Sequence, residues 1–216
     1  RAFWILDDLS PLRQASADVA RAAVHLFTPR TATLLAGNGG FGGGGGDRVG
    51  RNAPSGATVY FRLAATPDST TKLSLEFLDA RGAVLRTYSN RGTGPARLGA
   101  RAGLNAFTWD LRREPPTTLQ GVNLFGAPSG GGAKVLPGRY QVRLTVGTVI
   151  QTQAFEVRAD PRLEPIPAAV LAQRDSIANV LVGRIGEIHD AVLRVRDLKA
   201  QVNGIITRTA TDPMAD

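Results

Sequence analysis

Through the middle of the chain, apolar and polar residues alternate. Val59, Phe61 and Leu63 alternate with Tyr60 and Arg62, and Leu73, Leu75 and Phe77 alternate with Ser74 and Glu76. Asp79-Ala80-Arg81-Gly82 reads as a turn, and Val84, Arg86 and Tyr88 follow it at the same spacing. The pattern returns at Phe107, Trp109 and Leu111, and again at Tyr140, Val142, Leu144 and Val146; a last strand ends on Phe155 and Val157. A period of two places one set of side chains on one face of a strand. About six strands in roughly 100 residues, separated by turn signals, predict an antiparallel β-sandwich over residues 57–162.

Beyond Pro161, Pro165 and Pro167 the period changes. Leu181, Ile185, Ile188, Val192, Val195, Leu198, Val202 and Ile205 are separated by three or four residues, which draws one apolar stripe along one helix. No proline interrupts the segment from Pro167 to about Thr207. A helix of that length is a rod of about 60 Å, longer than the roughly 25–35 Å face of a small sandwich. The overhanging half must therefore bury Val195, Leu198, Val202 and Ile205 elsewhere. Candidates are a second copy of the helix, a following antiparallel helix, or another subunit. The residues expected to make that contact are Ile188, Val192, Val195, Leu198, Val202 and Ile205. Gly183 and Gly186 weaken the helix locally.

Before the sandwich, Arg1-Ala2-Phe3-Trp4-Ile5-Leu6 is a β-prone run stopped by Asp7-Asp8. Ser10-Pro11 reads as an N-cap with proline at the first helical position, predicting a short helix from Pro11 to about Ala15. Val24-His25-Leu26-Phe27 is a second short strand. Residues 37–56 are glycine-rich and read as a linker, because such a tract buries too little to offset its ordering entropy. The chain opens in a strand-like run at Arg1 and reads as a piece of a longer or processed product.

The chain has 216 residues and a net charge of +8. Only Lys72, Lys134 and Lys199 among its 26 basic residues are lysines. The arginines are scattered, without the clustered charge and aromatic elements that nucleic-acid binding requires. No stretch approaches 18 apolar residues, so no transmembrane helix is expected. Cysteine is absent, which excludes a disulfide framework, thiolate zinc sites and a cysteine nucleophile.

Three segments carry a resemblance: residues 1–14 (RAFWILDDLSPLRQ), the pair 75–89 and 102–112, and residues 136–162. Together they resemble the C-terminal region of large secreted bacterial β-propeller proteins of the sortilin-like, BNR-repeat or glycosyl-hydrolase-like kind. The order Asp79-x-x-Gly82-x-x-x-Arg86, Gly103-x-Asn105-x-Phe107-x-Trp109-Asp110, Pro137-Gly138-x-Tyr140-x-Val142-x-Leu144 is also similar to the Ig-like domain of flagellar hook-capping proteins. The resemblance implies a mainly β fold: an Ig-like sandwich followed by one long α-helix. Residues 1–36 would end an upstream propeller, residues 37–56 would link, 57–162 would form the sandwich, and 163–216 the helix and tail. It also implies a secreted, periplasmic or cell-surface bacterial location. The chain lacks the Ser-x-Asp-x-Gly-x-x-Trp box of sialidase-type repeats, so any glycosidase residues would lie upstream of Arg1. Trp4, Phe77, Trp109, Tyr140 and Phe155 are the expected structural core.

Candidate chemistry is sparse. Asp7 and Asp8 are adjacent on a strand and point to opposite faces, which suits turn capping or, as the alternative, calcium. Asp110, Asp160 and Glu164 read as turn and cap residues. His25 and His189 lie far apart, too few for a zinc site, and no Gly-x-Ser-x-Gly elbow accompanies them. Residues 37–42 match Gly-x-Gly-x-x-Gly but lack the following helix that a dinucleotide site requires. No cofactor, metal or catalytic residue is expected within the chain. The expected function is a non-catalytic accessory and assembly region, packing on its own propeller, another subunit or a second copy. The alternatives are the end of a glycoside hydrolase or peptidase with its active site upstream, or a carbohydrate-binding module using Tyr60, Tyr88 and Phe125.

Overall fold

The computed structural model describes residues 8–35, 55–119, 121 and 131–210. Trp4, Asp7, Phe125 and nearly all of the glycine tract lie outside the described residues. In chain order the elements are α1 (Ser10–Arg13), α2 (Ala17–Arg21), β1 (Val24–Leu26), β2 (Ala32–Leu34), β3 (Ala57–Leu63), β4 (Leu73–Asp79), β5 (Val84–Ser89), β6 (Gly103–Trp109), β7 (Gly138–Val146), β8 (Val149–Ala159) and α3 (Ala168–Ala210). One sheet has the order β1-β3-β6 and the other β2-β8-β7-β4-β5. The fold is thus mainly β, two sheets packed face to face, followed by one long helix.

The alternation seen in the sequence decides which side chains meet. Along β3 every second residue is buried, from Ala57 through Val59 and Phe61 to Leu63. Tyr140, Val142 and Leu144 of β7 are buried in the same rhythm. At the centre, Phe77 of β4 stacks on Trp109 of β6 with ring centroids 4.5 Å apart and planes 16° from parallel. Phe155 meets both rings edge-on. Trp109 is fully buried, and its indole N–H donates to the carbonyl of Arg112 at 2.8 Å. A buried indole nitrogen needs such a partner. Two residues on, Leu111 has a φ of 59°, an uncommon conformation for a residue with a Cβ. It is held there because its side chain is buried and because the Asp110 carboxylate accepts from the Arg112 N–H at 3.1 Å.

Two glycines are required by the backbone. Gly82 closes the β4–β5 turn at a φ of 86°, while the Asp79 carboxylate accepts from the N–H groups of Arg81 and Ala83. Gly56 lies so close to β6 that a Cβ would come 2.1 Å from the Trp109 carbonyl oxygen. Tyr140 donates its hydroxyl to the Leu136 carbonyl at 2.6 Å, tying the start of β7 to the preceding turn.

Three boundaries differ from the sequence expectation. The first helix begins at Ser10 without a side-chain cap from Ser10; the Asp8 carboxylate accepts the Ser10 N–H instead. A second short helix, α2, follows and is capped by the Ser16 hydroxyl, which accepts from Val19 N–H at 3.2 Å. Above all, residues 24–34 belong to the sandwich rather than to a separate unit ending at residue 36. β1 pairs antiparallel with β3, and β2 pairs parallel with β8, so the sandwich is not purely antiparallel. The physical reason lies in β8. Gln151 accepts from the Leu26 N–H at 2.7 Å and donates to the Val24 carbonyl, and Gln153 donates to the Leu26 carbonyl. These amides occupy the open edge of β1 as a neighbouring strand would, which leaves fewer bare backbone groups there.

Trp109→Ala should lower stability by about 3–5 kcal/mol, the range for a large buried aromatic. Urea unfolding checks this, and a loss below about 1 kcal/mol would contradict the central role of the ring.

Candidate functional site

The helix α3 meets the sandwich through an ion pair, a histidine and a few small or apolar positions. Arg113, just past β6, donates to both carboxylate oxygens of Asp175, the closer at 3.1 Å. Asp175 is largely buried in this pair and Arg113 is 30% exposed, which screens the charges from water more than at an open surface. One turn further, Asn179 donates to the Asp175 carbonyl. His189 Nδ1 hydrogen-bonds the Thr117 carbonyl. Between them Gly186 passes Pro116, where an added Cβ would be in ordinary contact. The half-buried helix positions are therefore Leu171, Asp175, Ala178, Asn179, Val182, Gly186, His189 and Val192. Their spacing of three to four residues marks the face turned to the sandwich.

The branched apolar stripe is a different face. Leu181, Ile188, Val195, Leu198, Val202 and Ile205 are between 53% and 65% exposed, and Ile185 is 42% exposed. At about 100° per residue the stripe lies about a third of a turn from the docked face. The inner part of the stripe, Leu181, Ile185 and Ile188, is thus open to solvent as well. Leu181, Ile185 and Ile188 point past the sandwich, because the anchors that hold the helix, Asp175 and His189, are polar and occupy the facing positions. Of the six expected contact residues only Val192 is half-buried, and the other five are open to solvent. Beyond Val192 every described side chain as far as Thr209 is exposed apart from Gly204, a position with no side chain. Isolated single surface apolar residues are ordinary, but a continuous stripe of this length marks an interaction surface.

A cavity of about 850 Å³ opens where the start of α3 leaves the sandwich. Leu34, Leu136, Leu163, Ile166 and Leu171 give it apolar walls, with Lys134 and Arg174 at its margin. Burial lowers the Lys134 pKa, and Arg112 lowers it further.

The other expected residues take structural roles. Asp8 lies 3.7 Å from Arg30 in an ion pair. Asp160 is buried and accepts from the Arg162 guanidinium at 2.6 Å. Glu164 is exposed at the cavity rim. His25 meets Phe27 edge-on at 4.6 Å, and burial lowers its pKa. Among the described residues no group of three acidic or histidine side chains could hold a metal ion. Tyr88, expected on an exposed aromatic face, is buried against Phe107 and Phe77, so a sugar-stacking platform with Tyr60 is not formed. Among the described residues no helix is long and apolar enough to cross a membrane.

The Arg113–Asp175 pair gives a direct test of how α3 is held. Asp175→Ala leaves Arg113 without its acceptor and should cost about 1 kcal/mol of docking. Hydrogen exchange should rise across residues 168–190 while β4 and β7 stay protected; unchanged exchange in α3 would show that the pair does not hold it. A comparison of the chain with protein-family models and with curated proteins finds no match.

Proposed function

We propose that this chain is a non-catalytic assembly module, an Ig-like sandwich that carries a helix outward to bind another protein surface. The observation that carries this is the exposure of the branched stripe from Leu181 to Ile205. A helix held to its own domain by an ion pair and a histidine keeps its apolar face free for association. Burying a branched apolar side chain contributes about 1.5–3 kcal/mol as an upper estimate, so a few of them suffice to drive it. Secretion and attachment to an upstream β-propeller belong to the same proposal and rest on the sequence resemblance alone.

Val195→Asp combined with Val202→Asp tests the proposal. Association should be lost in light scattering, while the thermal unfolding of the sandwich should stay within about 0.5 kcal/mol of the parent, as for exposed positions. Unchanged mass and unchanged helix content would sink the assembly reading, and so would glycan hydrolysis by the chain itself.

A further inference from the structure

We infer that the partner of the exposed stripe is a second copy of this chain, paired antiparallel along α3; this rests on the assembly reading above. The first support is the symmetry of the seam. From Leu181 the seam runs four residues to Ile185 and three to Ile188; backwards from Val202 it runs four to Leu198 and three to Val195. The two triplets mirror each other about a point between Ala191 and Val192. Reversing one helix about that point sets Leu181 against Val202, Ile185 against Leu198, and Ile188 against Val195. A two-fold interface requires this self-complementarity, with residue i meeting j and j meeting i.

Charge supports the same orientation. Around the docked Asp175, the N-terminal half of α3 is balanced, with Arg174 and Arg184 against Glu187 and Asp190. The C-terminal half carries Arg194, Arg196, Lys199 and Arg208 against Asp197 alone. A parallel pair would bring the two basic halves together. The antiparallel pair sets each basic half beside the acid-bearing half, with Glu187 facing Arg196 and Asp190 within a turn of Arg194. Arg184 opposite Lys199 is the like-charged apposition in this register, and both side chains are long enough to splay. Opposed charges beside a seam set partner choice and orientation.

Size and access agree. A stable interface hides about 800 Å² on each partner. The side chains from Ile177 to Ile206, many of them more than half exposed, supply apolar surface of that order. The sandwich sits on the face of Asp175, Gly186 and His189, about a third of a turn from the seam, so it leaves room for a second helix.

The chain contains no cysteine, so introduced cysteines report geometry cleanly. The 216-residue chain should sediment at twice its 22.8 kDa mass. Ala191→Cys, exposed and beside the two-fold axis, should cross-link by itself under mild oxidation. Leu181→Cys alone should not, because its two copies would be about 30 Å apart along the axis, far beyond disulfide reach of about 4.4–6.8 Å between Cα atoms. An equimolar mixture of Leu181→Cys and Val202→Cys chains should cross-link. A monomeric chain, or Leu181→Cys that cross-links alone, overturns the antiparallel pair. The two proposals fail separately. If Val195→Asp with Val202→Asp abolishes association but Leu181→Cys links to itself, assembly stands and the antiparallel pair falls. If the mass does not respond to those aspartates, both fall.

Discussion

The stack of Phe77 on Trp109 is the contact on which the rest of the sandwich depends. It joins one sheet to the other at their centre, with Phe155 and Tyr140 closing around it. An aromatic pair contributes area burial plus about 0.5–1.5 kcal/mol from its geometry. Its consequences reach the backbone. Trp109 must satisfy its indole N–H, and it does so on the Arg112 carbonyl. That bond accompanies the turn after β6, in which Leu111 takes a left-handed conformation and Arg113 reaches the surface that α3 meets. The helix anchor Arg113 thus follows four residues after the core residue Trp109.

The division of labour on α3 follows from its two faces. An apolar face would have docked the helix firmly on the sandwich and consumed the stripe. Here the docking face sets Asp175, Asn179 and His189 among Leu171, Ala178, Val182 and Gly186, and the ion pair and the histidine hydrogen bond fix which way it turns. The branched residues are thereby left on an outer face. An isolated helix depends on tertiary packing for most of its stability, so the half beyond Val192 has reason to acquire a partner.

The cavity at the root of α3 is a consequence of the same loose docking. The helix leaves the sheet at Pro161, Pro165 and Pro167, and apolar side chains from both sides line the gap without filling it. Its lining mixes Lys134 and Arg174 with Asp160, Glu164 and Asp175, and burial is the main cause that lowers the Lys134 pKa, with Arg112 adding to it.

Much of the architecture was legible from residue order. Alternation over β3, β4 and β7 declared strands and their buried faces, because a pleated strand cannot avoid a period of two. The proline-free stripe after Pro167 declared one long helix, and Gly82 declared its turn. What residue order left open was decided by contacts between segments far apart in the chain. Gln151 and Gln153 read as ordinary polar residues of a strand, yet their amides recruit β1 from more than 120 positions away. Tyr88 alternates as though it could be exposed, yet it is buried because Phe107 lies across from it in the other sheet. The stripe on α3 announced that it needed a cover, but which face of the helix turns inward was set by Arg113 and Thr117. Periodicity fixes which side chains share a face, since that is a local property of the backbone; only the packing of distant segments chooses which face is buried.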